Sequence, residues 1–262
     1  MTDPFYYPHL EIQIAEHCNL NCASCTHFSP LAEPSFADAE HFYQQLLKAN
    51  QIFEGHCKSL KIMGGEPLLH PALDRLLYLA RKAMPSIKLT LQTNGILLTK
   101  LPEAFWKACH DNDIFIRVTR YPVKLDIEKI KALAEKYDAR LDFHPSDGVE
   151  KSFNLYPLDV AGTGDAGENY SQCKMRRRYV LIKDDKLFPC PIAGNAEHFN
   201  AYFGTNMDCS RQNYVPLNEV NSFEDFQAFA EEAIAFCRHC KPQDYRRNVG
   251  WSVSQKKRSE WT

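Results

Sequence analysis

Apolar residues recur along the first half of the chain with the spacing of strands that alternate with helices. Residues 10–15 alternate apolar and polar side chains, as a half-buried strand does. Further apolar runs predict strands at 60–63, 87–91, 114–119 and 140–144. Apolar residues at helical spacing predict helices over 35–54, 71–83, 102–110 and 126–137. Because alternating strands and helices of this length form parallel sheets, the pattern predicts an α/β fold.

The pattern changes after residue 145. Residues 146–171 contain many Gly and Asp residues, which favours a linker or an active-site loop. Two apolar runs, 179–182 and 186–188, then flank Lys183-Asp184-Asp185 and predict a β-hairpin. A helix is predicted to begin at Ser222 and to lead into the last cysteine pair. We therefore divide the chain into a core over 8–145, a linker or loop over 146–171, and a small module over 172–262.

Three cysteines directly follow the first predicted strand. Cys18, Cys22 and Cys25 have the spacing C-x3-C-x2-C. Thiolates bind soft metals, and three on one short loop suit an iron–sulfur cube in which one iron has no protein ligand. The alternative that the spacing leaves open is zinc, which takes four ligands and would recruit His17 or His27.

A second signal follows the second predicted strand. Gly64 and Gly65 let a ligand approach the backbone, and the carboxylate of Glu66 can hold a cationic amine. Together with the cysteine loop, this segment resembles the radical S-adenosylmethionine (SAM) superfamily. In that superfamily the cysteine loop binds a [4Fe-4S] cluster, and the Gly-Gly-Glu segment holds the methionine amine of SAM. The resemblance implies a partial (β/α)6 TIM-like barrel and a reductively generated 5′-deoxyadenosyl radical.

The resemblance also implies contacts to SAM at the ends of the later strands. The residues at those positions are Thr93, Asn94, Thr119 and Arg120. The superfamily usually has an aromatic residue immediately before the third cysteine, where this chain has Ser24. We therefore expect Phe28 to substitute for it as the contact to adenine.

A second set of cysteines lies in the last third of the chain. The sequence has ten cysteines and no secretion signal, which favours metal ligands over disulfides because the cytosol keeps thiols reduced. Four of them come from separated segments and can close one site: Cys173, Cys190, Cys237 and Cys240. Zinc is again the alternative on ligand chemistry alone. A cysteine hairpin followed by a helix and C-x2-C resembles the Twitch module of radical SAM enzymes, which implies a second, auxiliary [4Fe-4S] cluster.

Length and cysteine layout are similar to those of the 2-deoxy-scyllo-inosamine dehydrogenases, although no substrate motif is shared. We therefore expect a radical SAM oxidoreductase or epimerase that acts on a small polar molecule, such as a sugar or cyclitol. An epimerase needs a thiol that returns a hydrogen atom, and Cys209 is the candidate. The alternatives are a radical SAM enzyme that modifies a peptide and a zinc-stabilised binding protein.

Charge and hydropathy limit the partners. The formal net charge of −2 argues against a surface for nucleic acid, although the chain has local basic clusters such as 176–178. No apolar run is long enough to span a bilayer, so we expect no membrane segment and a cytoplasmic protein. The expected partners are a small-molecule substrate and a one-electron reductant such as flavodoxin or ferredoxin.

Overall fold

The computed structural model describes residues 9–262, so the start of the predicted core at residue 8 lies outside the described residues. Its strands are His9–Gln13 (β1), Ser59–Met63 (β2), Lys88–Thr93 (β3), Ile114–Thr119 (β4), Leu141–His144 (β5), Ser152–Leu155 (β6), Tyr179–Lys183 (β7), Lys186–Phe188 (β8), Val215–Pro216 (β9) and Arg246–Gly250 (β10). Its helices are Ala39–Phe53 (α1), Leu73–Ala83 (α2), Glu103–Asp111 (α3), Ile127–Lys136 (α4), Ala166–Gln172 (α5), Pro191–Phe203 (α6) and Phe223–Ala230 (α7).

One eight-stranded sheet organises the molecule, in the order β5-β4-β3-β2-β1-β7-β8-β9. The strands from β5 to β7 in this order pair in parallel, whereas β8 and β9 are antiparallel. The predicted α/β class is therefore confirmed. Because neighbouring parallel strands end at the same edge, the loops that follow β1 to β4 are brought together there.

Alternation along the strands builds the main hydrophobic core. In β2, Leu60 and Ile62 are buried while the residues between them are only half-buried, and β4 has the same pattern. Helix α2 buries Leu73, Leu76 and Leu77 on one face, which is the apolar stripe that its sequence predicts. Within residues 9–262, no helix is long and apolar enough to cross a membrane.

The last third of the chain differs in detail from its sequence pattern. The predicted hairpin forms as β7 and β8, but β7 pairs with β1 and so extends the main sheet. Ser222 caps helix α7 in a capping box with Asp225, as expected, but the helix ends at Ala230, and Cys237 lies in a separate 3-10 turn. The segment expected to be a linker or loop contains β6 and α5. We did not predict these elements because they are too short to show a hydrophobic period.

A second hydrophobic core lies under these elements. Its largest fully buried side chains include Phe28, Phe199 and Phe236, and Trp261 from the carboxyl-terminal segment is 2% exposed. The four cysteines of the second set pack against this core. Strand β10 pairs with β6 in a separate two-stranded sheet, which leads the chain back toward the cysteine loop.

Candidate active site

Most of the site residues predicted from the sequence line one cavity of about 220 Å³ at the carboxyl ends of the strands. These residues are Cys18, Cys22, Cys25, Gly64, Gly65, Glu66, Thr93, Asn94 and Thr119. They come from the segments that follow or end β1, β2, β3 and β4. The parallel sheet therefore assembles the cysteine loop and the Gly-Gly-Glu segment in one place.

The two glycines allow the chain to approach the base of the cysteine loop. A Cβ atom on Gly64 would lie 2.2 Å from the carbonyl oxygen of Ala15, and one on Gly65 would lie 2.1 Å from that of His17. The amide of Gly65 donates a hydrogen bond to Ala15 O at 2.7 Å, and the amide of Glu66 donates to His17 O at 3.0 Å. Any side chain at these glycines would therefore separate the two segments of the site.

Glu66 is held in a buried network of hydrogen bonds. Its Oε1 accepts from Thr93 Oγ1 at 2.6 Å and from the amide of Leu68 at 3.1 Å, while its Oε2 accepts from the amide of Asn94 at 2.9 Å. Burial raises the pKa of Glu66 to about 7, and these hydrogen bonds act in the opposite direction. A carboxylate has about four acceptor positions. Three are used, which leaves one for a cation in the cavity.

The three thiols of the loop have different environments. Burial raises the pKa of Cys18 to about 11 and that of Cys22 to about 12. Burial is also the largest single effect on Cys25, but the hydrogen bond and charge of His27 together with the backbone amides of His27 and Ser29 exceed it, so the pKa of Cys25 is lowered. Iron binding requires thiolates and would release these protons. Within the described part of the chain, no three His, Cys, Asp or Glu side chains are grouped as ligands of a single metal ion.

The donor chemistry of this cavity fits an iron–sulfur cluster together with SAM. Three thiols on one loop supply ligands to three irons of a cube and leave the fourth iron for another ligand. Glu66 lines the same cavity and has an acceptor position for an amine. The residues that would hold the two groups therefore face each other across one space.

The aromatic side chains that line this cavity do not include Phe28, which we expected there. Phe28 is 1% exposed and packs edge-on against Phe199, with ring centroids 5.5 Å apart, inside the second core. Tyr121 lines the cavity instead and stacks on Phe153 at 5.6 Å and on Trp251 at 6.0 Å. The sequence offered a weak signal for Tyr121, since it follows the end of β4 by two residues.

Arg120 and Cys209 are not brought to this cavity. The guanidinium of Arg120 donates to the carbonyl of Ser146 at 3.0 Å and lies over the ring of Phe143. Cys209 is exposed, and its sulfur accepts a hydrogen bond from Asn200 Nδ2 at 3.5 Å. Neither side chain is among those that line the space around the three thiols.

The second set of cysteines converges on a smaller cavity of about 60 Å³. Its lining includes all four: Cys173, Cys190, Cys237 and Cys240. Asn169 Nδ2 fixes the C-x2-C turn by donating to the carbonyls of Cys237 and Cys240, at 3.0 and 2.8 Å. Burial raises the pKa of Cys190 to about 12 and that of Cys237 to about 11. The three separated segments therefore present four thiols to one site.

Comparison with known proteins agrees with this geometry. Residues 12–114 match the sequence model of the Radical SAM superfamily. The chain contains a radical SAM domain. A radical SAM domain implies a [4Fe-4S] cluster and SAM. The match begins in β1 and ends in β4, so it covers the cysteine loop and the Gly-Gly-Glu segment.

Curated proteins that are similar to this chain include two kinds of enzyme. It is 29% identical over 180 residues to a GTP 3′,8-cyclase of Aliarcobacter butzleri, which is 64% of this chain and 52% of that protein. It is 27% identical over 159 residues to a 7-carboxy-7-deazaguanine synthase of Halobacterium salinarum, which is 51% of this chain and 56% of that protein. The chain thus spans about half the length of these relatives.

A solved structure resembles nearly the whole chain. The crystal structure of BtrN in complex with AdoMet and 2-DOIA superposes with a TM-score of 0.54 at 16% sequence identity. The match covers 90% of this chain and 93% of that chain. At this identity the likeness shows the fold alone, and it agrees with the expected TIM-like barrel.

Proposed function

We propose that this protein cleaves SAM reductively and uses the 5′-deoxyadenosyl radical to abstract hydrogen from a small polar substrate. The observation that carries the proposal is the single cavity shared by the thiols of Cys18, Cys22 and Cys25 and the carboxylate of Glu66. A [4Fe-4S] cluster on the three thiolates would supply the electron for SAM cleavage.

The protein's own residues position SAM for this reaction. The remaining acceptor position of Glu66 binds the ammonium of SAM. Thr93 and the amide of Asn94 hold the Glu66 carboxylate in place for this contact. Thr119 Oγ1 accepts from Gln92 Nε2 at 2.7 Å, which leaves its hydroxyl proton for a polar group of SAM. Tyr121 lines the same cavity with its aromatic ring, and the adenine of SAM would stack there.

We propose further that Cys173, Cys190, Cys237 and Cys240 hold a second [4Fe-4S] cluster and that the substrate is oxidised. Hydrogen abstraction from a carbon that bears a hydroxyl leaves a carbon radical. Loss of one more electron and of the hydroxyl proton then gives a carbonyl. The second cluster is the proposed electron acceptor, and solvent takes the proton. Oxidation is favoured over epimerisation because the thiol of Cys209 does not line the cavity.

Two substrate classes follow from the relatives. The fold extends over the same length as that of BtrN, whose structure holds AdoMet together with 2-DOIA, and this supports a sugar or cyclitol. The names of the curated relatives favour a second class, purine nucleotides such as GTP. A one-electron reductant such as flavodoxin or ferredoxin is the proposed protein partner. We propose that the protein binds neither nucleic acid nor membranes. The proposed location is the cytoplasm.

The experiment is a deuterium-transfer assay on the anaerobically reconstituted protein. Deuterated sugars, cyclitols and GTP are incubated with SAM and dithionite, and 5′-deoxyadenosine is analysed by mass spectrometry. Deuterium in 5′-deoxyadenosine identifies the substrate class. Replacing the three loop cysteines with alanine should abolish the product, whereas Cys109→Ala, a buried cysteine of α3 outside both cavities, should leave it unchanged. Bound zinc without acid-labile sulfide in the wild-type protein would refute the proposal.

A further inference from the structure

The carboxyl-terminal residues 251–262 pack directly on the cysteine loop. The amide of Ala23 donates to Ser252 O at 2.9 Å, and the amide of Ser254 donates to Asn21 O at 2.7 Å. Cys22 and Val253 form an antiparallel bridge between these two hydrogen bonds. More than two hundred residues separate the two segments in sequence, so this pairing exists only in the folded chain.

Side chains of the same segment hold the rest of the loop. Ser24 Oγ donates to Glu260 O, and Trp261 Nε1 donates to Cys25 O, both at 2.9 Å. Asn21 and Ser24 have φ angles of 52° and 60°, a left-handed conformation that residues with a side chain adopt at a cost. Both of these loop residues are bonded to the carboxyl-terminal segment, which therefore stabilises the loop where its backbone is least favourable.

Trp251 connects this segment to a cysteine sulfur. Its Nε1 donates to Cys22 Sγ at 3.1 Å. Its ring stacks on Tyr121 with an interplanar angle of 24°, and Tyr121 stacks in turn on Phe153 at 6°. The stack on Tyr121 orients the indole plane, so the N–H group is aimed at the sulfur.

We propose that residues 251–262 are a clamp that holds the cysteine loop in the shape for cluster binding, and that the Trp251 N–H raises the reduction potential of that cluster. Trp251 is thus a positioning residue whose effect passes through Cys22. A hydrogen bond to a ligand sulfur stabilises the more negative, reduced state of a cluster, so its loss lowers the potential. This inference rests on the proposed function, since it requires a cluster on the loop.

The test of the potential compares two tryptophan variants. Trp251→Phe keeps an aromatic ring on Tyr121 but removes the N–H donor. Trp106→Phe is the control, because Trp106 lies buried on α3 in the main core and its Nε1 has no hydrogen-bond partner among the described residues. Redox titration followed by electron paramagnetic resonance measures each midpoint potential, and the change that SAM makes in the signal identifies the loop cluster. We expect a lower potential in Trp251→Phe alone. Equal potentials in both variants would overturn the tuning role.

The test of the clamp measures iron loss. Ser24→Ala removes the hydrogen bond to Glu260 O, and Ser59→Ala is the control because it removes a serine contact to His9 at the start of β2. We expect an iron chelator to extract iron several-fold faster from Ser24→Ala than from Ser59→Ala or the wild type. Equal rates would overturn the clamp. A wild-type protein that assembles no cluster at all would instead refute the proposed function, so the two failures are distinguishable.

Discussion

SAM binding should depend on pH through Glu66. Burial raises the pKa of this carboxyl group to about 7 in the SAM-free protein, and only its ionised form pairs with the SAM ammonium. Affinity should therefore rise as pH rises through 7 and fall as pH falls. Between pH 8 and pH 6 the ionised fraction drops from about 10/11 to about 1/11, so the dissociation constant should increase about tenfold.

The variant Glu66→Gln removes the charge that this argument requires. A hydrogen bond to a charged group contributes about 1.5–3 kcal/mol. Its loss should weaken SAM binding roughly ten- to a hundredfold, because 1.4 kcal/mol corresponds to a factor of ten. The glutamine amide would also place an NH2 donor at one of the two positions where Oε1 and Oε2 now accept from Leu68 and Asn94, so thermal stability must be measured in parallel.

Anaerobic equilibrium dialysis of the reconstituted protein with labelled SAM measures both effects. The matched control is Glu11→Gln, which changes another buried carboxylate, paired with Lys61 at 3.3 Å on the barrel strands and outside the cavity lining. Glu11→Gln should retain the pH profile of the wild type, whereas the profile of Glu66→Gln should be flat between pH 6 and pH 8. The role of Glu66 would be refuted if Glu66→Gln bound SAM with unchanged affinity. It would also be refuted if the affinity of Glu66→Gln still varied with pH as in the wild type.

Three further outcomes follow from other contacts. Gly65→Ala should destabilise the protein by about 1–3 kcal/mol and abolish SAM binding, because the added Cβ would clash with His17 O. Gly250→Ala is the control, because open space surrounds that position. A thermal melt and dialysis should show no change in its stability or SAM binding. Cys237→Ala combined with Cys240→Ala should still release 5′-deoxyadenosine but no oxidised product, and should lose about four of about eight irons in an iron assay. Lys183→Met should lower stability in urea by about 1–3 kcal/mol, because it removes the cation at 2.8 Å from the half-buried Glu16 and leaves that carboxylate with His198 at 2.6 Å.

The first half of the site could be predicted because its signals are local. Each functional segment directly follows or ends a strand that the alternation of apolar residues marks, as Cys18 follows β1 and Glu66 follows β2. Parallel pairing then brings those strand ends to one edge without further information. The role of the two glycines was predicted only in part. We predicted that their lack of a Cβ lets a ligand approach, and the structure shows that it also allows the close contact between Gly65 and His17.

The remaining parts depend on contacts between distant segments, which periodicity does not encode. The hairpin signal gives β7 and β8 but not their place beside β1. Trp251 contacts Cys22, which lies 229 residues away in the sequence. A single tryptophan in the sequence does not indicate which residue it will contact. Helix α6 was not predicted, because Pro191–Phe203 is apolar on most sides and lacks the polar face that marks a surface helix.

The placement of Phe28 shows how the two cysteine sites form one unit. Phe28 follows Cys25 by three residues, and its ring lies in the second core beside Phe199 and Trp261. The four cysteines of the second set border the same core, and Trp261 donates to the carbonyl of Cys25. The apolar side chain that we assigned to adenine therefore links the loop to the second set of cysteines by packing. Because this core is shared, a cluster on one set of thiols should stabilise the protein around the other set.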